Sequence, residues 1–185
     1  MLKYIMPNIP QHNIYTESFI GGGALYWSKE PAKLEVINDI NREVVNFYTV
    51  FKNHSKRLNY YINATMHSRS QYKDALVIYQ NSHLFTNVER AWAFWILTNQ
   101  GFSTMIGSWG FDRTGKCISK NNNKKKMMCD EMASRLENTT IECNDANRVL
   151  KLFDTEETFH YIDPPYINAD QGHYSGYTEE CLKSY

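Results

Sequence analysis

The chain has 185 residues, enough for one domain of ordinary size or one domain carrying a small insertion. Twenty Lys and Arg balance 20 Asp and Glu, which excludes a histone-like polycation and an acidic disordered tail, so any nucleic-acid site must be a local patch. The 42% hydrophobic content supplies a core, and neither an apolar run of about 18 residues nor a basic-then-apolar start is present, so a soluble cytoplasmic protein is expected.

In chain order, residues 14–19 read as a strand that runs into Gly21-Gly22-Gly23. A short helix from Ala24 to about Lys29 follows, closed by Pro31. A second strand spans Lys33–Ile37 and ends at Asn38-Asp39. From Asn41 to Asn53, Val44, Val45, Phe47, Tyr48 and Phe51 recur at helical spacing. Strand, glycine turn, helix, strand, acid and helix open a doubly wound α/β domain.

The stretch 55–100 reads as helices, the clearest at 88–100, where Val88, Ala91, Trp92, Trp95 and Ile96 share one face. A Gly/Ser-rich segment, Asn99–Gly110, comes next. Then Arg113, Lys116, Lys120, Lys124, Lys125 and Lys126 occur with no acid among them, around Asn121-Asn122-Asn123. Thr114-Gly115 and the asparagine run predict a hairpin or mobile loop there, with a helix over 126–137. The α/β pattern resumes with a strand at Thr140–Cys143 ending at Asn144-Asp145, a helix at Ala146–Phe153 and a strand at Thr158–Ile162. The expected organisation is an α/β domain over 1–54 and 138–185, interrupted by a mainly helical insert over 55–137.

The fourth strand runs into Asp163-Pro164-Pro165-Tyr166. Two prolines fix φ and remove backbone donors, so a carboxylate sits before a stiff turn and an aromatic ring after it. That pattern suits accepting hydrogen bonds from a planar amine while stacking on the ring that carries it. The glycines after the first strand let a ligand approach the backbone at a helix N-terminus. They are not followed by Gly-Lys-Ser/Thr, which disfavours a phosphate-binding NTPase loop. Asp39 stands where an acid can hold ribose hydroxyls of an adenosine cofactor, or cap the helix that begins near Asn41. The four cysteines form no C-x-x-C pair, and neither they nor the six histidines have metal-site spacing, so no metal is expected.

Together, Glu17-Ser-Phe-Ile-Gly-Gly-Gly-Ala24, Val36-Ile-Asn-Asp-Ile-Asn41, Ile141-Glu-Cys-Asn-Asp145 and Asp163-Pro-Pro-Tyr166 resemble the Dam-type (D12 class) adenine-specific DNA methyltransferase family. Asn99-Gln-Gly-Phe-Ser103 with Trp109-Gly-Phe111 resembles the target-recognition segment of its phage and bacterial members. The resemblance implies a Rossmann-like fold that binds S-adenosylmethionine, double-stranded DNA as partner, and methyl transfer to adenine N6 in restriction-modification or a related role. It implies that Phe19, Gly21 and Gly23 line the methionine end of the cofactor, that Asp39 holds its ribose, that Ile40 packs on its adenine and that Asp145 accepts from that adenine's amino group. It further implies that Asp163 and the Pro164 carbonyl bind the target amino group, on the turn completed by Pro165, with Tyr166 stacked on a flipped base. Arg113, Lys116, Lys120, Lys124, Lys125 and Lys126 would contact phosphates. Asn99, Gln100, Ser103 and Asn121–Asn123 are candidate readers of base edges.

Three departures stand out. Ser18 replaces the proline that usually precedes the motif's Phe, which should soften the turn, and Ala146 replaces a frequent aromatic. The family's N-terminal cofactor motif has no counterpart before Ile5, and members continue well past the tetrapeptide. The expectation is therefore a domain short at both ends, with 158–162 as an edge strand and a complementing C-terminal fragment or chain as a partner. An inactive DNA-binding remnant and an amino methyltransferase acting on RNA or protein stay open as other readings.

Overall fold

Four short strands form one parallel sheet in the computed structural model, which describes residues 2–102 and 106–165. They are β1 (Ile14–Glu17), β2 (Leu34–Asn38), β3 (Thr139–Glu142) and β4 (Thr158–Tyr161), in the order β3-β2-β1-β4. Register pairs Ile14 with Leu34 and Thr158, and Glu17 with Ile37 and Tyr161. The central strands are buried at successive positions (Tyr15, Thr16 and Glu17; Glu35 to Asn38), as a parallel sheet covered on both faces requires. β4 has one partner strand, β1, among the described residues, and all four of its residues are only half-buried. This is the Rossmann-like α/β arrangement that the alternating pattern predicts.

Helices α1 (Leu2–Ile5), α2 (Ala24–Ser28), α3 (Arg42–Ala64), α4 (Arg69–Gln80), α5 (Asn87–Gln100), α6 (Lys116–Lys126), α7 (Asp130–Arg135) and α8 (Ala146–Phe153) complete the described elements. No helix among the described residues is long and apolar enough to cross a membrane. The chain divides into two compact units at Val45/Asn46 and Leu136/Glu137. The first holds the sheet with α1, α2 and α8. The second holds the helices of the intervening segment, and α3 starts in one unit and ends in the other.

In the sheet unit, Lys29 and Glu35 form an ion pair at 2.7 Å with both side chains almost fully buried. The Lys29 ammonium also lies 4.2 Å from the centre of the Tyr15 ring. A charge this deep is tolerable because it is paired and hydrogen-bonded. In the helical unit, α5 is buried on most sides by Val88, Ala91, Ala93, Phe94, Trp95, Ile96 and Leu97. Its start is a reciprocal capping box between Thr86 and Glu89, the sequence signal of a helix N-terminus.

One expectation is corrected here. The helix expected over 41–53 does end at Asn53, because His54 is non-helical (φ −138, ψ 34) and makes the kink after which α3 resumes to Ala64. The hairpin or loop expected around the asparagine run is the regular helix α6. Asparagine's weak helix propensity is overridden by anchoring at both ends and in the middle. Asp112 accepts from the backbone N–H groups of Thr114, Lys116 and Cys117 at 2.7, 3.1 and 2.6 Å. Asn121 is 1% exposed within the unit, and Lys125 donates to the carbonyl oxygens of Asn63 and Thr65.

Candidate functional site

The sheet order reverses direction between β1 and β4, and in open α/β sheets ligands bind beyond the carboxyl ends of strands at such a point. Both sharp motifs leave the sheet there. β1 passes through Ser18, Phe19 and Ile20 into the glycines, and β4 passes through Ile162 into Asp163-Pro164-Pro165. Tyr166, and Ser103 in the other unit, lie outside the described residues.

The glycine turn is defined by backbone geometry. Gly21 and Gly23 hold φ of 44° and 64°, which side chains disfavour, and Gly23 N donates to Ile20 O at 2.6 Å. Gly22 has an ordinary φ, and a Cβ on either Gly21 or Gly22 would meet nothing within 4 Å. The space over these two residues is open, so packing within the protein does not explain the absence of side chains there. Phe19 is half-buried beside this turn.

Asp39 is 1% exposed. One carboxylate oxygen accepts from Gly21 N at 3.0 Å and the other from Asn41 N at 2.9 Å. It ties the end of β2 to the glycine turn. The capping role left open for it belongs to Asn41, whose side-chain oxygen accepts from Glu43 N at 2.9 Å. Ile40, next in the chain, is 60% exposed and presents an apolar surface beside the turn's anchor. Asp145 is exposed and caps α8 by accepting from Asn147 N at 3.0 Å.

A residue that the motifs did not single out holds these parts together. Asn38 is 1% exposed, and its amide nitrogen donates to Ser18 O at 2.9 Å and Asn144 O at 3.0 Å. Its side-chain oxygen accepts from Asn144 N at 2.9 Å, and its backbone carbonyl accepts from Ile20 N at 2.8 Å. One side chain thus links the exits of β1, β2 and β3. The turn that Ser18 should soften is braced by this amide. The signal was present in the sequence: an Asn-Asp pair closes both β2 and β3.

At the β1/β4 exit, two tyrosine–carboxylate pairs stand on neighbouring strands. Tyr15 donates to Glu17 at 2.5 Å, and Tyr161, the register partner of Glu17, donates to Asp163 at 3.3 Å. Glu17 is 3% exposed, and burial pushes its carboxyl up to about 7. Hydrogen bonds from Tyr15 and Tyr26 N oppose that shift, and the Asp163 charge adds to it. Asp163 itself is exposed.

In the helical unit the expected DNA-contacting residues separate into two kinds. Arg113, Lys116, Lys120 and Lys126 are exposed. Lys124 and Lys125 are half-buried, desolvation lowers the pKa of both, and Lys125 is spent on the carbonyls of Asn63 and Thr65. Asn99 donates back to Trp95 O at 2.7 Å within α5. Gln100 is 2% exposed and donates to Met66 O at 3.0 Å, and Asn121 is equally buried, so neither presents a base-reading edge at the surface. Asn122 and Asn123 are exposed. Among the described residues, no group of three or more His, Cys, Asp or Glu is placed to hold a metal ion.

Comparison with known proteins agrees with this geometry. The chain is similar to a Type II methyltransferase, M1.LlaDCHI, of Lactococcus lactis subsp. cremoris, with 26% identity over 190 residues. The match takes in 97% of the chain and spans 65% of that relative's length. The model of the D12 class N6 adenine-specific DNA methyltransferase matches residues 1–184. With its glycine turn and Asp-Pro-Pro exit meeting at the switch point of a parallel sheet, the chain belongs to the D12 class N6 adenine-specific DNA methyltransferase family.

Proposed function

We propose that this protein transfers a methyl group from S-adenosylmethionine to the exocyclic N6 of an adenine in double-stranded DNA. The observation that carries the reading is the convergence, on adjacent strands, of an open glycine turn and an exposed carboxylate on a proline-stiffened turn. The donor set fits the cofactor. Gly21 and Gly22 leave room for close approach, Asp39 stands at the end of β2 for ribose hydroxyls, and Ile40 offers an apolar face for a purine. Phe19, Gly21 and Gly23 would line the methionine end, and Asp145 would accept from the cofactor's adenine amino group. When bound, S-adenosylmethionine supplies an electrophilic methyl group on a sulfonium.

The chain's own residues prepare the nucleophile. An exocyclic amine attacks poorly because its lone pair is conjugated into the ring. Asp163 accepts a hydrogen bond from one amino hydrogen and the Pro164 carbonyl from the other, which favours a pyramidal nitrogen with its lone pair free. Pro164 and Pro165 offer no backbone donor that competes for those acceptors. Tyr161 orients the Asp163 carboxylate. The target base must leave the duplex to reach the site, and stacking on Tyr166 offsets part of that cost. The sheet unit is the catalytic part of this scheme and the helical unit the DNA-recognising part, with Arg113, Lys116, Lys120 and Lys126 on phosphates.

The test is transfer of labelled methyl from S-adenosylmethionine to duplex DNA by the full chain. Wild type labels adenine N6, and Asp163→Ala loses at least about a hundredfold in rate. Labelling of RNA or protein in preference to DNA would contradict the substrate assignment, and unchanged transfer by Asp163→Ala would contradict the site.

A further inference from the structure

Glu17 closes β1 shortly before the glycine turn. One of its carboxylate oxygens accepts from Tyr26 N at 3.2 Å and from the Tyr15 hydroxyl at 2.5 Å. Tyr26 lies on the far side of the glycines, in the first turn of α2. The bond from Glu17 to Tyr26 therefore joins the two ends of the segment that carries the glycine turn, while Asp39 holds its middle through Gly21 N. Both carboxylates are almost fully out of water. The ionisable groups around Glu17 come from every neighbouring element. They are Tyr15 on β1, Lys29 at the end of α2, Glu35 on β2, Tyr161 on β4 and Asp163 at the exit of β4. Lys29 is already paired with Glu35. Burial, with the Asp163 charge added to it, holds the Glu17 carboxyl at about 7 against the hydrogen bonds and the Lys29 charge that oppose the rise.

In the proposed reaction the methyl group crosses from the glycine turn to the Asp163 turn. Glu17 acts on both, on the first through its bond to Tyr26 and on the second through its charge. We propose that Glu17 is a positioning residue that clasps the cofactor turn and, by giving up its proton, favours the cationic methyl donor over its demethylated product; this rests on the reading that the cofactor is S-adenosylmethionine. The donor carries a sulfonium charge, and loss of the methyl leaves a neutral thioether. A buried carboxylate beside the turn gains Coulomb energy from the cation only while the methyl is present. By linkage the donor drives the proton off Glu17 and the product does not. The sign follows: protonated Glu17 at low pH treats the two ligands alike, and ionised Glu17 at higher pH holds the donor more tightly than the product.

The experiment is calorimetric titration of the full chain with S-adenosylmethionine and with S-adenosylhomocysteine across a pH series, in buffers of differing ionisation enthalpy. The amino group of each ligand titrates too, so Glu17→Gln is the reference: its amide oxygen keeps an acceptor for Tyr15 and Tyr26 and it does not ionise. Relative to that variant, the preference of wild type for the donor should rise by about tenfold between about pH 5 and about pH 8, the equivalent of one pK unit. Wild type should also release a fraction of a proton in the middle of that range with the donor alone. Tyr15→Phe removes a bond that favours the ionised carboxyl, so its rise should come at higher pH than in wild type. A clasp that acts by shape alone would leave the donor-to-product ratio equally dependent on pH in wild type and Glu17→Gln. That result, or a rise in Tyr15→Phe at the wild-type pH, overturns the proposal. If wild type binds both ligands and methylates duplex DNA yet matches Glu17→Gln at every pH, the Glu17 assignment alone fails. If folded wild type binds neither ligand, the cofactor reading fails and the Glu17 assignment with it.

Discussion

The glycine turn of the sheet unit and the lysine-rich helix of the helical unit both read from sequence as binding features, yet they are built in opposite ways. The turn is made by the backbone: two positive φ values, one buried carboxylate and one buried amide fix it, and the space above it stays open. The helix α6 is made by side chains reaching into its own unit, and two of its lysines and one asparagine are drawn inward. A turn written in glycines and strand ends keeps its backbone shape and its open space once folded. A motif written in charge does not, because a lysine in a run can be spent on structure.

The largest effect on stability is expected at the buried Lys29–Glu35 ion pair of the sheet unit. Lys29→Met leaves Glu35 charged and buried, and denaturant unfolding should show a loss of about 3–5 kcal/mol. Asn38→Ala comes next. It removes the amide that joins three strand exits, and should cost roughly 3 kcal/mol in the same assay and weaken S-adenosylmethionine binding by calorimetry.

Glu17 gives a pH signature. Its folded carboxyl holds a proton up to about 7, above the ordinary 4.5, so its contribution is fully present below about 4.5 and is lost as pH rises through about 7. Across that window stability should fall by at most about 3 kcal/mol, and Glu17→Gln should flatten the slope in unfolding curves taken at successive pH values. The smallest effects separate the two kinds of lysine. Lys120→Ala or Lys126→Ala should each lower the salt dependence of duplex binding by about one unit of slope with stability unchanged. Lys125→Ala should instead cost about 1 kcal/mol of stability, because two carbonyls lose their donor. Equal salt slopes for all three variants would erase the distinction.

Much of the sheet unit is legible in the sequence because its signals are local. The helix expected at Ala146–Phe153 is found at those residues, and β1 and β2 end within two residues of expectation, where apolar alternation stops at Gly or Asn-Asp. Asn38 is not legible in the same way, because its importance lies in partners 20 and 106 residues away, which no local pattern reports. The same limit explains α6. Its helix depends on Asp112, and its buried positions on Asn63 and Thr65, all outside the asparagine run. Asp39 shows a partial reading: an acid at the end of β2 was expected and is found, and its hydrogen bond to Gly21 makes it part of the turn as well.

The open space above Gly21 and Gly22 is the proposed cradle for the cofactor. Calorimetric titration of S-adenosylmethionine into wild type and Gly22→Ala tests it directly, since Gly22 has ordinary backbone angles and an added methyl meets no protein atom. Wild type should bind, and Gly22→Ala should keep the wild-type melting temperature while losing about tenfold or more in affinity, a difference of about 1.4 kcal/mol. Binding by Gly22→Ala that matches wild type, or no binding by a folded wild type, would contradict it.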